Sequence, residues 1–469
     1  MNTPDNASLS SKDEKFRDFA LHGNMWHILL YVGTPLALYQ SLSQLFKIFD
    51  SIMAAHISSS AVSAVAYLSQ INLMLSALGN GLAIGGSIKI SEAYGAGDYA
   101  LVKKRVSSLF ALCGLLSLGI LAILVPFTPQ FLRFARTPEL FIAEGSLYFI
   151  LELVAMVISF FNNVYIAIER ARGNSRRILY LNICVIAMKL ALTAAFVYVL
   201  HGGINSIAIA TIISQALLLI AALINMNQKG NAFGFSLSSI SFQKYTIFPM
   251  LHLSLPVIAE KMAFSFGKVI VNSMSTIYNA LTVGALGISN NIGGFATMPQ
   301  TGFQDGCSAI ISQNLGAGNP KRALQAFKYV MVINLMVGVS IMSLSFLFLS
   351  RISALFAGSD PEFQQMIAAI YRIDGLGAIP LGFHASVMAL LYGFGKTRLT
   401  LLINFSRVFI FRVPVLWLLQ HFTDLGSVSV GIVMAVSNFS TGILALIIAF
   451  CEVRKICREY QISFWRRES

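Results

Sequence analysis

Carboxylates lie within or at the edge of several long apolar runs, where charged side chains are rare. Four of them are Asp50, Glu152, Glu260 and Asp374. An ionised side chain near the centre of a bilayer costs about 2.5 to 3.5 kcal/mol on insertion scales, so each needs a partner, a water-filled cavity or a function. A carboxylate in such a place can bind a proton or a small cation and release it again. These four residues are therefore candidates for reversible proton or cation binding.

Structural explanations stay open for the same acids. Asp50 can cap the end of its helix and pair with Lys47, one turn earlier. Asp374 can pair with Arg372. Glu152 can be hydrated by water among the lipid headgroups, because it lies near the outer boundary of its run.

Lysines also occur within the apolar runs. Lys47 and Lys268, which are 221 residues apart, would favour an anionic group if both faced an internal cleft. The alternative is internal pairing of the lysines in these runs. Lys47 would pair with Asp50, and Lys261 with Glu260 or Asp305. Uncharged side chains that can line the same cleft, or join one helix to another, are Gln40, Gln44, Asn290, Asn291 and Gln300.

The composition is that of an integral membrane protein. Of the 469 residues, 56% are hydrophobic and 11% are charged, and the mean hydropathy is +0.73. A soluble core of this size could not bury so much apolar surface. Runs of about 20 residues, the length of a membrane-spanning helix, predict twelve spans. They are 26–49, 60–88, 106–126, 146–168, 178–200, 204–225, 248–273, 281–311, 326–350, 366–392, 400–420 and 428–451.

Membrane topology explains the net charge of +13. The basic residues cluster in alternate loops, and the opposite loops hold only Arg133, Arg136 and Arg351. By the positive-inside rule the basic side is cytoplasmic, which places both termini inside and gives no reason to expect nucleic-acid binding. The first 25 residues lack the apolar segment of a signal peptide, and the five cysteines show no metal-binding spacing.

The two halves of the chain repeat each other. Residues 35–98 match 256–319 without a gap, and both segments end in similar loops, GAGD and GAGN. Later in the repeat the offset is 222, which makes Glu152 and Asp374 equivalent. Six spans per repeat place the two copies in the same orientation in the membrane. We therefore predict an all-α fold of twelve transmembrane helices in two pseudo-symmetric six-helix lobes.

Composition also predicts the boundaries of the lobes. The longest polar connection between spans follows the sixth, and it is the natural linker. The predicted parts are a cytoplasmic N-terminal segment 1–25, a first lobe 26–225, a cytoplasmic linker 226–247, a second lobe 248–451 and a cytoplasmic basic tail 452–469.

Several segments resemble the MATE family (multidrug and toxic compound extrusion), which lies within the MOP flippase superfamily. They are PLALYQSLSQLFKIFDSIMA, SEAYGAGD, SQNLGAGN, ARGNSRRILYLN, GFGKTRLTLLIN and GGINSIAIATIISQ. Together they cover almost the whole chain in the order of the family. The resemblance implies two lobes around a central path.

The resemblance also bears on the acids. It implies that Asp50 takes part in proton or cation coupling. In sodium-coupled relatives the acid of the tenth span lies nearer Leu381, so Asp374 is displaced from it, and the acid of the seventh span lies about one turn after Glu260. Thr193 stands near the position where some proton-coupled relatives carry an aspartate in the fifth span.

These observations predict a secondary active efflux transporter that exports an organic solute by proton- or sodium-coupled antiport with alternating access. The alternative is an exporter or flippase of an anionic or lipid-linked metabolite. The sequence shows no catalytic cluster and no P-loop, so neither an enzyme nor an ATP-driven pump is expected. We expect a monomer in the plasma (inner) membrane, without cofactor or metal. Its partners are a small-molecule substrate and the lipid bilayer.

Overall fold

The computed structural model describes residues 9–55, 59–134, 137, 139–228, 231–357 and 360–464. Side chains are described for these residues except 47–55, 59–67, 69–70, 139–141, 143–144 and 280. The described chain is helical throughout and contains no strand, so the predicted all-α class is confirmed. Its α-helices are α1 Ser11–His22, α2 Met25–Ala55, α3 Ser59–Ala96, α4 Tyr99–Leu124, α5 Thr128–Phe134, α6 Glu139–Ala171, α7 Ser175–Ala194, α8 Ile204–Met226, α9 Lys244–Ser275, α10 Ala280–Gly316, α11 Pro320–Leu347, α12 Leu349–Ala357, α13 Pro361–Asp374, α14 Ala378–Gly393, α15 Thr397–Phe409, α16 Val413–Phe422 and α17 Val428–Glu459.

The helices correspond to the predicted spans. In the part of the chain that the structure describes, 10 segments are long and apolar enough to cross a membrane. The first and eighth predicted spans are covered by α2, with 31 residues, and by α10, with 37. Two spans are interrupted: a 3-10 turn joins α13 to α14, and the eleventh span is broken between α15 and α16. Pro414 accounts for the second break, because it lacks a backbone N–H and clashes with the carbonyl four residues earlier.

One compact unit consists of Met1–Phe19 and Leu45–Ile258. Within it α3 packs against α6, and α6 packs against α8. Large aromatic side chains fill this core, and Phe149, Phe160 and Tyr165 are almost completely buried.

A second compact unit consists of Ala20–Gln44 and Ala259–Ser469. Within it α10 packs against both α11 and α14, and α14 packs against α17. The division thus cuts α2 after Gln44 and α9 after Ile258, so each unit contains part of a helix whose remainder belongs to the other.

The repeat extends to helix packing inside each unit. In the first unit, a Cβ added to Gly85 of α3 would lie 2.5 Å from the backbone nitrogen of Ser254 in α9. In the second, a Cβ added to Gly306 of α10 would lie 3.4 Å from Cα of Gly33 in α2. Gly85 and Gly306 are repeat equivalents, and so are Gly33 and Ser254. The same helix contact therefore occurs once in each unit, and it is closer in the first.

Candidate functional site

Glu260 is the best defined of the predicted acids. It lies on α9, in the second unit, and only 1% of its surface is exposed. Tyr392 Oη lies 2.9 and 3.0 Å from its two carboxylate oxygens. Thr400 Oγ1 lies 2.6 Å from Oε2, and Asn404 Nδ2 lies 2.9 Å from Oε1. The carboxylate is therefore held by three side chains that can donate hydrogen bonds.

A tight turn brings these three side chains together. Helix α14 ends at Gly393, and Gly395 adopts a φ of +67°, a left-handed conformation that glycine accepts without strain. Helix α15 then begins at Thr397, so Tyr392 and Thr400 face each other across the turn. Asn404 lies one helical turn after Thr400 and thus on the same face of α15.

Two more polar groups belong to the network. Nε2 of His384 lies 3.1 Å from Oδ1 of Asn404, so the amide nitrogen of Asn404 is the atom that faces Glu260. Lys261 Nζ lies 3.6 Å from Glu260 Oε1, and 40% of the lysine side chain is exposed. This contact corresponds to the internal pairing that the sequence leaves open for Lys261.

Glu152 and Asp374 occupy comparable places in their respective units. Each accepts a hydrogen bond from the helix two spans earlier: Asn72 Nδ2 of α3 lies 2.9 Å from Glu152 Oε2, and Ser289 Oγ of α10 lies 3.0 Å from Asp374 Oδ2. Asp374 is 7% exposed and also accepts from Asn438 Nδ2 at 3.2 Å. Its hydrogen bonds thus come from neutral side chains of neighbouring helices.

Three of the five uncharged cleft candidates, Gln44, Asn291 and Gln300, form hydrogen bonds between helices. Gln44 Nε2 lies 3.2 Å from Asn291 Oδ1, so these two join α2 to α10 within the second unit. Gln300 is buried, and its amide nitrogen donates to the backbone carbonyls of Asn334 and Ala378 at 3.1 and 3.0 Å. Gln40 is partly buried and Asn290 is exposed.

The remaining predicted residues are two lysines and an acid. The side chains of Lys47 and Asp50 lie outside the described residues. Lys268 is exposed, and its Nζ lies 5.2 Å from the centre of the Phe264 ring.

Tyr392, Thr400 and Asn404 are site residues that sequence reasoning does not find. Their hydroxyl and amide groups are uncharged and common within membrane helices, so composition does not single them out. The available signal was the spacing of Thr400 and Asn404, which places two polar groups on one face of an apolar helix.

The MatE family model matches residues 35–195 and 256–418, which is most of the chain and both repeats. The protein belongs to the MATE family of multidrug efflux transporters. It is a multi-pass membrane transporter and not an enzyme.

Individual relatives are distant but cover nearly the full length. The chain is 22% identical over 410 residues to the probable multidrug resistance protein YoeA of Bacillus subtilis, covering 86% of this chain and 88% of that protein. It is 22% identical over 422 residues to the multidrug export protein MepA of Staphylococcus haemolyticus, covering 89% and 92%. A crystal structure of MATE in complex with MaL6 has the same fold, with a TM-score of 0.89 at 19% identity, covering 94% of this chain and 99% of that chain.

Transporters of this family act on small molecules and need no cofactor. Among the described residues, no group of three or more histidine, cysteine, aspartate or glutamate side chains could hold a metal ion.

Proposed function

We propose that this protein is a secondary active exporter that moves an organic solute out of the cell in exchange for protons, with alternating access to the two sides of the membrane. One observation carries the proposal: Glu260 is buried, is surrounded by hydrogen-bond donors and has a half-exposed lysine as its ion-pair partner. A carboxylate in such surroundings gives up its proton while the donors and the lysine are in place, and it takes one up when they move away.

The hydroxyl group of Thr400 supports a proton as the coupling ion. It has two acceptors within reach, Glu260 Oε2 at 2.6 Å and the carbonyl oxygen of Thr397 at 2.9 Å. One hydroxyl has a single proton, so it can donate to only one of them. If Glu260 carries a proton, the acid donates to Thr400 and Thr400 donates to Thr397. Protonation of Glu260 therefore satisfies all three groups at once.

Sodium fits this arrangement less well. A hard cation is bound by oxygen lone pairs, whereas Asn404 presents its amide nitrogen to the carboxylate. A sodium ion between Glu260 and Asn404 would require the amide to turn, and its oxygen would then lose the contact with His384.

Coupling follows from the contacts that stabilise this carboxylate when it is charged. Exchange requires that the protonated state and the solute-bound state favour opposite sides of the membrane. The three donors and Lys261 stabilise the charged carboxylate, so Glu260 binds a proton more readily when these contacts are broken. Protonation of Glu260 is thereby linked to a rearrangement within the second unit that separates α9 from α14 and α15.

The test is efflux from proteoliposomes under a pH gradient and a sodium gradient, each imposed alone, with cationic, zwitterionic and anionic solutes. We expect the pH gradient to drive efflux and Glu260→Gln to abolish it while solute binding persists. The control is Glu362→Gln, which alters an exposed acid at the start of α13. Efflux driven by sodium alone, or full pH-driven efflux by Glu260→Gln, would refute proton coupling through Glu260.

The other acids stay candidates for a contribution to coupling. Asp50→Asn, Glu152→Gln and Asp374→Asn, assayed in the same way, decide whether any of them is required. Full gradient-driven efflux by Asp50→Asn would exclude the role that the family resemblance implies for Asp50.

Membrane topology and oligomeric state are part of the same proposal. Both termini are proposed to be cytoplasmic in the plasma (inner) membrane, because the basic residues of the tail follow the positive-inside rule. A membrane-impermeant thiol reagent applied to intact cells should then leave Cys457 unlabelled. The protein is proposed to act as a monomer, which the mass of the detergent-solubilised protein tests.

A further inference from the structure

Two arginines lie close to Asp374 in the second unit. Arg407 is in the last turn of α15, and Arg412 immediately precedes α16. Asn438 joins Asp374 to Arg407, because its Nδ2 lies 3.2 Å from Asp374 Oδ1 and its Oδ1 lies 2.8 Å from Arg407 Nη2. Both guanidinium groups interact electrostatically with Asp374 and with each other. One carboxylate thus balances two guanidinium groups, which leaves an excess of one positive charge.

The donors of these arginines are largely unused. Arg412 is 2% exposed, and within the described part of the chain neither its Nε nor its Nη2 has a hydrogen-bond partner. Arg407 Nη2 donates to Asn438 Oδ1 at 2.8 Å, while its Nε is buried and unpartnered. Buried guanidinium groups without acceptors are unfavourable. An anionic group would supply both the missing acceptors and the missing charge.

The break in the eleventh span adds to this preference for an anion. Pro414 interrupts the span between α15 and α16, and Arg412 is the N-cap residue of α16. The N-terminal end of a helix carries a partial positive charge and free N–H groups, which attract anions. The side chain and the helix end therefore favour the same kind of ligand.

A neighbouring aromatic ring extends the positive region towards the surface. The centre of the Phe264 ring lies 5.3 Å from Cζ of Arg407 and 5.2 Å from Nζ of the exposed Lys268. An aromatic face flanked by two cations suits an acidic molecule with an apolar part.

We propose that Arg407 and Arg412 bind the carboxylate or phosphate group of the transported solute, and that the substrates are therefore organic anions or zwitterions with an apolar part. In the empty state Asp374 partly balances the two arginines. The inference rests on the proposed function only where it identifies the bound molecule as the transported solute. Binding of the solute to the arginines requires no proton gradient.

Equilibrium binding to the full-length protein in phosphatidylcholine nanodiscs tests the site. The probes are fluorescein, which is anionic, and rhodamine 123, which is cationic on the same ring skeleton, and fluorescence anisotropy reports binding. Arg407→Gln and Arg412→Gln should each weaken fluorescein binding about tenfold, the effect of losing a charged hydrogen bond, and should not weaken rhodamine binding. Arg351→Gln, which alters an exposed arginine, is the control.

Asp374→Asn should have the opposite effect on fluorescein binding. It thereby shows whether the effects of the arginine variants result from misfolding. Removing the acid that balances the two arginines should tighten fluorescein binding, and a damaged protein would not bind more tightly. Fluorescein binding that is unchanged in both arginine variants, or weakened by Asp374→Asn, would overturn the proposal.

A second measurement distinguishes a water-soluble acid from a lipid headgroup as the source of the anionic group. In nanodiscs that also contain phosphatidylglycerol, unchanged fluorescein binding supports a water-soluble acid as the ligand. Competition by phosphatidylglycerol that requires both arginines supports a lipid headgroup at the same site. Because neither measurement uses a proton gradient, failure of the Glu260 coupling test would leave this result intact, and the reverse also holds.

Discussion

Thr400 and Glu260 share a short hydrogen bond, 2.6 Å between Oγ1 and Oε2, although 140 residues separate them. The same hydroxyl lies 2.9 Å from the carbonyl oxygen of Thr397. The single hydroxyl proton can serve only one of these two acceptors at a time, and the coupling proposed above depends on which of them it serves.

Thr400→Val should uncouple transport from the proton gradient. Valine has the shape of threonine but cannot relay or accept a proton, so the initial rate of pH-driven efflux should fall about tenfold, the loss of one hydrogen bond to a charged group. Thr400→Ser keeps the hydroxyl and should retain most of the activity. Solute affinity, measured by equilibrium binding, should not change. Equal efflux rates in the valine and serine variants would contradict the relay.

Gly85→Ala should destabilise the protein more than Gly306→Ala. The added Cβ at Gly85 would lie 2.5 Å from the backbone nitrogen of Ser254, which cannot move without shifting α9. At Gly306 the nearest atom is a side-chain carbon of Val32 at 3.1 Å, which can adjust. Overpacking of this kind costs about 1 to 3 kcal/mol, so the thermal unfolding midpoint in detergent should fall clearly for the first variant and little for the second. Equal midpoints would show that the two contacts do not differ.

Much of the fold could be predicted from periodicity and length alone. Apolar runs of membrane-spanning length predicted the helices, and the offset of 221 predicted the equivalence of Gly85 and Gly306. The assignment of Ala20–Gln44 to the same unit as the second half could not be predicted. A repeat has the same sequence pattern whether a helix packs with its own half or with the other half.

The site was predictable only in part for a related reason. Its position in an apolar run made Glu260 conspicuous in the sequence, because a carboxylate in such a run is rare. Its partners Tyr392 and Thr400 come from other helices, and no local pattern records a contact between residues so far apart in sequence. The arrangement of the arginines was hidden as well, since α15 and α16 read as one apolar run apart from Pro414.

Arg172 should be essential for anchoring the N-terminal helix within the first unit. Its Nε and Nη2 each lie 3.0 Å from a carboxylate oxygen of Asp13 in α1, and its Nη1 lies 3.1 Å from Glu169. Breaking a buried ion pair at one partner costs about 3 to 5 kcal/mol. Arg172→Gln should therefore lower the unfolding midpoint and speed hydrogen exchange in α1, whereas Arg176→Gln, at an exposed position, should do neither. Unchanged exchange in α1 would exclude the anchoring role.

The same ion pair should be insensitive to alkaline pH. Burial tends to lower the pKa of Arg172, but the carboxylates of Glu169 and Asp13 outweigh it, and the pKa is raised above its ordinary value. A group with a raised pKa contributes stability that is complete below its unfolded pKa and is lost only as the pH rises through the folded one. The difference in unfolding midpoint between wild type and Arg172→Gln should thus stay constant from neutral to mildly alkaline pH. A difference that shrinks over this range would contradict the assignment.

Removing both repeat-equivalent lysines should impair anion transport selectively. Lys268 lies 5.2 Å from the Phe264 ring, beside the proposed anion site, and Lys47 is its equivalent in the first repeat. Lys47→Ala combined with Lys268→Ala should abolish fluorescein efflux from proteoliposomes while sparing rhodamine 123, because only the anion is attracted by the lysines. Lys244→Ala is a matched control, since Lys244 also lies near a phenylalanine of α9, at 5.8 Å from the ring of Phe248. If the double variant instead loses rhodamine efflux and keeps fluorescein efflux, the lysines do not select anions, and internal pairing accounts for them better.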